Sequence, residues 1–299
     1  MKKCLTKIHL PGWLLITLIG ILILRIPSFF EPYSYGDEMI YLTLGQGIRQ
    51  GIPLYSGVHD NKPPLLYLIA AIAGNLFWFK AILAFWMLGT TVLFSKLAEI
   101  FTKGKKNLII ISTVIFATFT TLPLLEGNIV NAELFMIAPI MGAVIILLTK
   151  PKSLKNLILA GMLFSLASLF KMPAAFDFPV IIFFWFLFQT PKKGKWAIFF
   201  KEIVLLTIGF IIPILVSFGW FYFQGAGRDY LIAAYLQNVG YLSSFRPDDV
   251  QKGFLDRNLP LLIRASLVGI GGLILWLKRK SLSWEFSFLV CGFCSDFLQ

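Results

Sequence analysis

Apolar runs of about twenty residues, the length that spans the hydrocarbon of a bilayer, recur along almost the whole 299-residue chain. Inside hydrocarbon every backbone N–H and C=O must find a partner within the protein, so only helices or a closed barrel can cross. The runs are continuously apolar and do not alternate with period two, which selects helices. With 58% hydrophobic and only 14% charged residues, the expectation is an all-α polytopic transmembrane protein with about nine spans in a single domain over 1–299. The spans are expected near 12–30, 80–101, 107–125, 133–149, 155–171, 174–190, 200–224 and 259–277, with a last one from about 284. A tenth apolar run, "PPLLYLIAAIAGNLFWF" at 63–79, is too short and too close to the next run to be assigned by length alone.

Charge placement decides its reading. If 63–79 does not cross, the N-terminal tail and four connections share one side. They hold Lys2, Lys3 and Lys7; Lys103, Lys105 and Lys106; Lys150, Lys152 and Lys155; Lys192, Lys193, Lys195 and Lys201; and Lys278, Arg279 and Lys280. If it crossed, every later cluster would move to the opposite side and the bias would reverse. The positive-inside rule therefore makes 63–79 an interfacial or half-inserted helix, with a cytoplasmic N-terminus. The chain is expected as a multi-pass protein of the inner or plasma membrane. The same bias explains the net charge of +12 by topology, without nucleic acid as a partner. Eleven of the 15 acids, among them Asp37, Glu38, Asp60 and Glu133, then fall on the outer side. The rule says nothing about acids, so a polar site on that face is the expected cause. The first external loop is 31–79, with helices lying on the membrane. A later one, 225–258, carries an amphipathic stretch at Tyr230–Leu236.

Other features exclude more than they assign. Cys291 and Cys294 form a lone CxxC with no second pair, and Cys4 stands apart, so redox or zinc chemistry is not indicated. Lys2, Lys3 and Lys7 precede an apolar run without a small-residue cleavage site, which reads as an uncleaved first span. No glycine-rich phosphate loop, HExxH or GxSxG occurs in a useful context.

The external segments carry the candidate chemistry. Asp37 and Glu38 open an expected helix, "GDEMIYLTLGQGIRQG", where acids suit the positive helix end; they also suit a general base or a cation site. In "HDNKPP" (59–64), Lys62 stands beside the start of a proline-led helix, a setting for a phosphate or for a lysine snorkelling to headgroups. His59 is one of two histidines and could join Asp37 or Glu133 around one cation. Glu133, with Asn131 before it, enters a span at the outer face, where a carboxylate is costly unless it faces a cavity or partner. Lys171, between two spans on that side, shares this ambiguity. A transporter or lipid-translocating protein is the alternative function, since intramembrane acids can relay ions.

The stretch "YGDEMIYLTLGQGIRQGIPLYSGVHDNKPPLLYLIAAIAG" resembles the first-loop signature of GT-C membrane glycosyltransferases, in particular the bacterial protein O-mannosyltransferase and aminoarabinose-transferase branch. The matching positions are Asp37, Glu38, Tyr41, Gly51, Pro53, Leu54, Tyr55, Asp60, Asn61, Lys62, Pro63, Pro64 and Leu65, with Glu133 at the place of a second acidic motif. The resemblance implies transfer of a sugar from a polyprenyl-phosphate donor to a hydroxyl of a glycan, lipid or protein acceptor. Transfer would occur on the non-cytoplasmic face of the bilayer, with inversion at the anomeric carbon. It implies Asp37 as general base, Lys62 against the departing phosphate, and Glu38 and Glu133 positioning base or sugar or holding a cation. Tyr41, His59, Asp60, Asn131 and Lys171 complete the expected substrate side. In one subgroup a glutamate that helps bind metal precedes the Lys-Pro pair; here that residue is Asn61, which leaves a divalent metal ion open. The chain stops at "VCGFCSDFLQ" within an apolar run, so a C-terminal part is expected to be missing.

Overall fold

The computed structural model describes residues 10–188, 196–237, 254–278, 283 and 285. Among them every regular element is helical, apart from one isolated bridge between Leu54 and Val58. The order is α1 (Gly12–Arg25) with a 3-10 turn to Phe30, α2 (Gly36–Arg49), α3 (Leu65–Ala73), α4 (Leu76–Phe101) and α5 (Lys106–Phe119). Then follow α6 (Ala132–Thr149), α7 (Leu154–Phe170), a 3-10 turn (Met172–Phe176), α8 (Asp177–Phe188) and α9 (Trp196–Phe223). The last described helices are α10 (Gly227–Leu231), continued by a π turn to Leu236, and α11 (Phe254–Lys278).

Among the described residues, four helices are long and apolar enough to cross a membrane: Gly12–Phe30, Leu76–Phe101, Ala132–Thr149 and Trp196–Phe223. Three more, Lys106–Phe119, Leu154–Phe170 and Met172–Phe186, are apolar but shorter. Their outer surfaces are aliphatic and aromatic, with Ile16, Val216, Trp220 and Phe223 all more than half exposed. Surface this apolar is unfavourable in water and natural in lipid. The architecture is that of a helical membrane protein.

The tenth apolar run resolves into two helices. Gly74 takes a left-handed φ of 72° and ends α3, and the Asn75 side chain then accepts the Trp78 N–H at 3.1 Å to start α4. With nine residues, α3 is about 14 Å long, less than half the hydrocarbon thickness of about 30 Å. The same Gly-Asn stop starts the next span at Leu76, not at Lys80 as expected, so Lys80 lies in the second turn of α4. The expected span 107–125 also closes early, at Phe119, because Pro123 opens a 3-10 turn there. The amphipathic stretch expected at Tyr230–Leu236 is α10 with its π turn. The N-terminal lysines, the cysteines, 238–253 and nearly all of the last expected span lie outside the described residues.

Close helix contacts depend on glycine. A Cβ on Gly161 of α7 would sit 2.1 Å from the Leu206 carbonyl oxygen of α9, and one on Gly209 would sit 2.2 Å from that of Ile158. Backbones therefore meet directly, the usual basis of helix association in lipid. Gly45 lets α2 pack as closely on Ala70 of α3. Helices α4 and α6 begin, and α1, α5, α7 and α9 end, at the pole that carries α2, α3 and α10. One apolar cluster, including Tyr41, Tyr67, Phe79, Phe135 and Tyr230, fills that pole, and a second, including Phe164, Trp185 and Leu206, fills the other.

Candidate functional site

The adjacent carboxylates that open α2 point apart. Consecutive helical residues are about 100° apart around the axis, so only one of them can face inward. Glu38 does so and is 2% exposed. Its Oε1 accepts the Val130 N–H at 2.7 Å, and its Oε2 lies 3.5 Å from Lys80 Nζ. Lys80, equally buried, donates to Glu31 Oε2 at 2.6 Å, and Glu31 also accepts from Asn128 Nδ2. This knot ties α2 to α4 and to the segment leading into α6. Burial pushes the Glu38 carboxyl above the usual glutamate range, while the Val130 N–H and the Lys80 ammonium pull it down.

Asp37 faces the other way and is about half exposed. Its Oδ2 accepts the Tyr41 hydroxyl at 3.0 Å, one turn along α2, and lies 3.3 Å from Lys62 Nζ. Lys62 also donates to the Tyr41 hydroxyl at 2.6 Å, and its ammonium stands 4.6 Å from the ring centroid. Tyr41 thus passes a hydrogen bond from cation to carboxylate. Its hydroxyl is held protonated by burial first, then by the carboxylates of Asp37, Glu133 and Asp60.

The loop before α3 is built to place Lys62. The buried Tyr55 adopts φ 77°, a left-handed conformation that disfavours a bulky residue. Its hydroxyl donates to the Lys62 carbonyl at 2.9 Å, and its ring packs on Phe221 and Tyr230. Two residues before Lys62, Asp60 accepts the Asn61 N–H at 2.8 Å and the Tyr67 hydroxyl at 2.6 Å. Asp60 is therefore an anchor of the loop on α3.

The remaining expected residues fall at the same pole. Glu133 lies in the first turn of α6, next but one to the N-cap Asn131, and pairs with Lys171 at the C-terminus of α7. The Tyr35 hydroxyl donates to Glu126 at 3.3 Å. His59 does not join Asp37 or Glu133; its Nε2 is 3.2 Å from Gln237 Oε1. Among the described residues no three His, Cys, Asp or Glu side chains converge as a metal site.

Below this polar layer lies an apolar groove of about 650 Å³ between α4, α6 and α7, in the size range of small-molecule pockets. Its room comes from Gly89, Ala138 and Gly142, and its walls from Phe85, Trp86, Leu163 and Phe170. Two lining residues mark its polar end: Leu65, three residues after Lys62, and Phe170, next to Lys171. The groove can hold a long apolar chain, and the two lysines that neighbour its lining in sequence, Lys62 and Lys171, each have a carboxylate partner.

Sequence reasoning did not single out Lys80, Glu31, Asn128 or Tyr67. Lys80 carried a signal, since an ionisable residue within an apolar run normally has a specific partner. No family model, no curated protein and no solved structure matches the chain.

Proposed function

We propose that the chain is a GT-C-type membrane glycosyltransferase that moves a sugar from a polyprenyl phosphate to a hydroxyl acceptor on the outer face of the membrane. The observation that carries this reading is the apolar groove whose lining includes Leu65, three residues after Lys62, with Asp37 3.3 Å from that lysine. In this reading the groove takes the lipid tail and Lys62 the phosphate, with the Asp37 carboxylate left to meet the acceptor hydroxyl.

The chemistry follows from these positions. The acceptor oxygen attacks the anomeric carbon while its proton passes to the Asp37 carboxylate. The bond from that carbon to the phosphate oxygen breaks, and its electron pair leaves with the lipid phosphate. Lys62, and Lys171 beyond it, offset the charge that develops there, an electrostatic contribution of the kind that often dominates catalysis. Attack opposite the leaving group inverts the anomeric carbon. Tyr41 orients Asp37, while Asp60 and Tyr55 fix the loop that presents Lys62. Glu38 steadies the helix turn that carries Asp37, and Glu133 holds Lys171.

Orientation is supported by the charge pattern. The basic turns at Lys103–Lys106 and Lys150–Lys155 follow the ends of α4 and α6 distant from Asp37. The positive-inside rule puts that pole in the cytoplasm and the site outside. The test is turnover in proteoliposomes supplied with a polyprenyl-phosphate sugar and an envelope extract as acceptor, following free polyprenyl phosphate by mass spectrometry. The reading expects the free phosphate to accumulate with protein present; consumption of nucleotide sugars alone would contradict it.

A further inference from the structure

Lys62 and Lys80 are both paired with carboxylates but differ in how firmly. Lys80 and Glu38 are both 2% exposed, and opening such a pair strands a charge away from water. Lys62 is 25% exposed and Asp37 46%, and pairs open to solvent are weak. Lys62 stands three residues before Leu65, which lines the groove. An ammonium has only three donors, and Lys62 already gives two of them to Asp37 and Tyr41. We propose that Asp37 and the lipid-borne phosphate compete for Lys62, so that seating the phosphate draws the ammonium from Asp37 and releases the carboxylate for its work on the acceptor.

The inference rests on the reading of the groove as a polyprenyl-phosphate site and adds an order of events to it. Seating the phosphate fills the site and, by drawing Lys62 away, opens Asp37 Oδ2 to the acceptor hydroxyl, which with Lys62 still in place meets an occupied carboxylate. The exchange also grows along the reaction, because the phosphate gains negative charge as its bond to the sugar breaks. Lys62 then interacts more strongly with the transition state than with the bound donor, the condition for raising turnover and not only affinity. Tyr41 suits the exchange, since its hydroxyl touches both partners and its buried ring lies 4.6 Å from the ammonium.

Competition makes a prediction that a simple supporting role for Asp37 does not: removing its charge strengthens phosphate binding. The affinities of decaprenyl phosphate and of uncharged decaprenol are to be measured for the full chain in nanodiscs, as wild type and Asp37→Asn. The variant is expected to bind the phosphate about fivefold more tightly, the factor that an exposed pair supports, and the alcohol unchanged. Equal or weaker binding of the phosphate by the variant would overturn the exchange alone. A wild type that binds phosphate no better than alcohol would overturn the donor reading as well. A second measurement needs no substitution: the zero-length carbodiimide cross-link between Asp37 and Lys62 should be lost with saturating decaprenyl phosphate and kept with decaprenol. Persistence of that cross-link under the phosphate would also overturn the exchange.

Discussion

Replacing Lys80 with Met tests how the site is held. Methionine keeps most of the stem but removes the ammonium 2.6 Å from Glu31 and 3.5 Å from Glu38. Glu31 is 37% exposed and retains Asn128, so its share of the loss is about 0–1 kcal/mol. Glu38 is 2% exposed and retains only the Val130 N–H, so it becomes a stranded buried charge. Removing one partner of such a pair costs about 3–5 kcal/mol. Glu38 can escape part of that by taking up a proton, which its burial already favours, so the loss should be smaller at pH 5 than at pH 8. Equilibrium unfolding in mixed micelles, with wild type, Lys80→Met, Glu38→Gln and the double variant, gives the coupling. The double variant is expected to be more stable than the sum of the single losses by about 1–3 kcal/mol. A Lys80→Met protein within about 1 kcal/mol of wild type, or strict additivity, would refute the knot.

The other predictions concern charge, the groove and topology. Because burial holds the folded-state pKa of Glu38 above its ordinary value, its contribution to stability is fully present below that ordinary value. The contribution is lost as pH rises through the raised one; wild type should lose stability over that window while Glu38→Gln does not, read by the same unfolding assay. A Cβ at Gly89 meets nothing within 4 Å, so Gly89→Phe should fold normally, gaining about 0.5 kcal/mol of helix propensity. It should nevertheless weaken polyprenyl-phosphate binding at least about tenfold by filling the groove, as titration in nanodiscs would show. In a chain whose own cysteines are replaced by serine, Ser56→Cys should react with impermeant maleimide from outside intact cells and Lys105→Cys should not.

Much of this organisation was legible because it depends on local chemistry. The helix opened by Asp37 and the proline-led helix after Lys62 follow from their own residues. The stop at Gly74 and Asn75 and the close before Pro123 carry local signals too, yet the expected segments 63–79 and 107–125 run through both. Asp37 and Tyr41 stand one turn apart, so their contact follows once the helix is drawn. Other features depend on partners distant in the chain. Glu38 meets Lys80 and Val130 only after α2 docks on α4 and on the segment entering α6, and the pairing of Glu133 with Lys171 requires α6 against α7. A span start placed four residues late hid Lys80 at the membrane edge, where a lysine needs no buried partner. The groove was equally hidden, since Gly89, Ala138 and Gly142 come from two helices and matter through the volume they leave open. His59 shows the limit of reading residue type alone: a histidine expected to join Asp37 or Glu133 around a cation turns to Gln237.

The central claim is that Asp37 accepts the proton of an acceptor hydroxyl as sugar leaves a lipid phosphate seated beside Lys62. It is tested most directly by single-turnover transfer from a polyprenyl-phosphate sugar, comparing wild type with Asp37→Asn at saturating donor. The account predicts that the variant still binds donor but releases polyprenyl phosphate at least about a hundredfold more slowly, the loss expected when a general base is removed. Wild-type release rates in Asp37→Asn would contradict it.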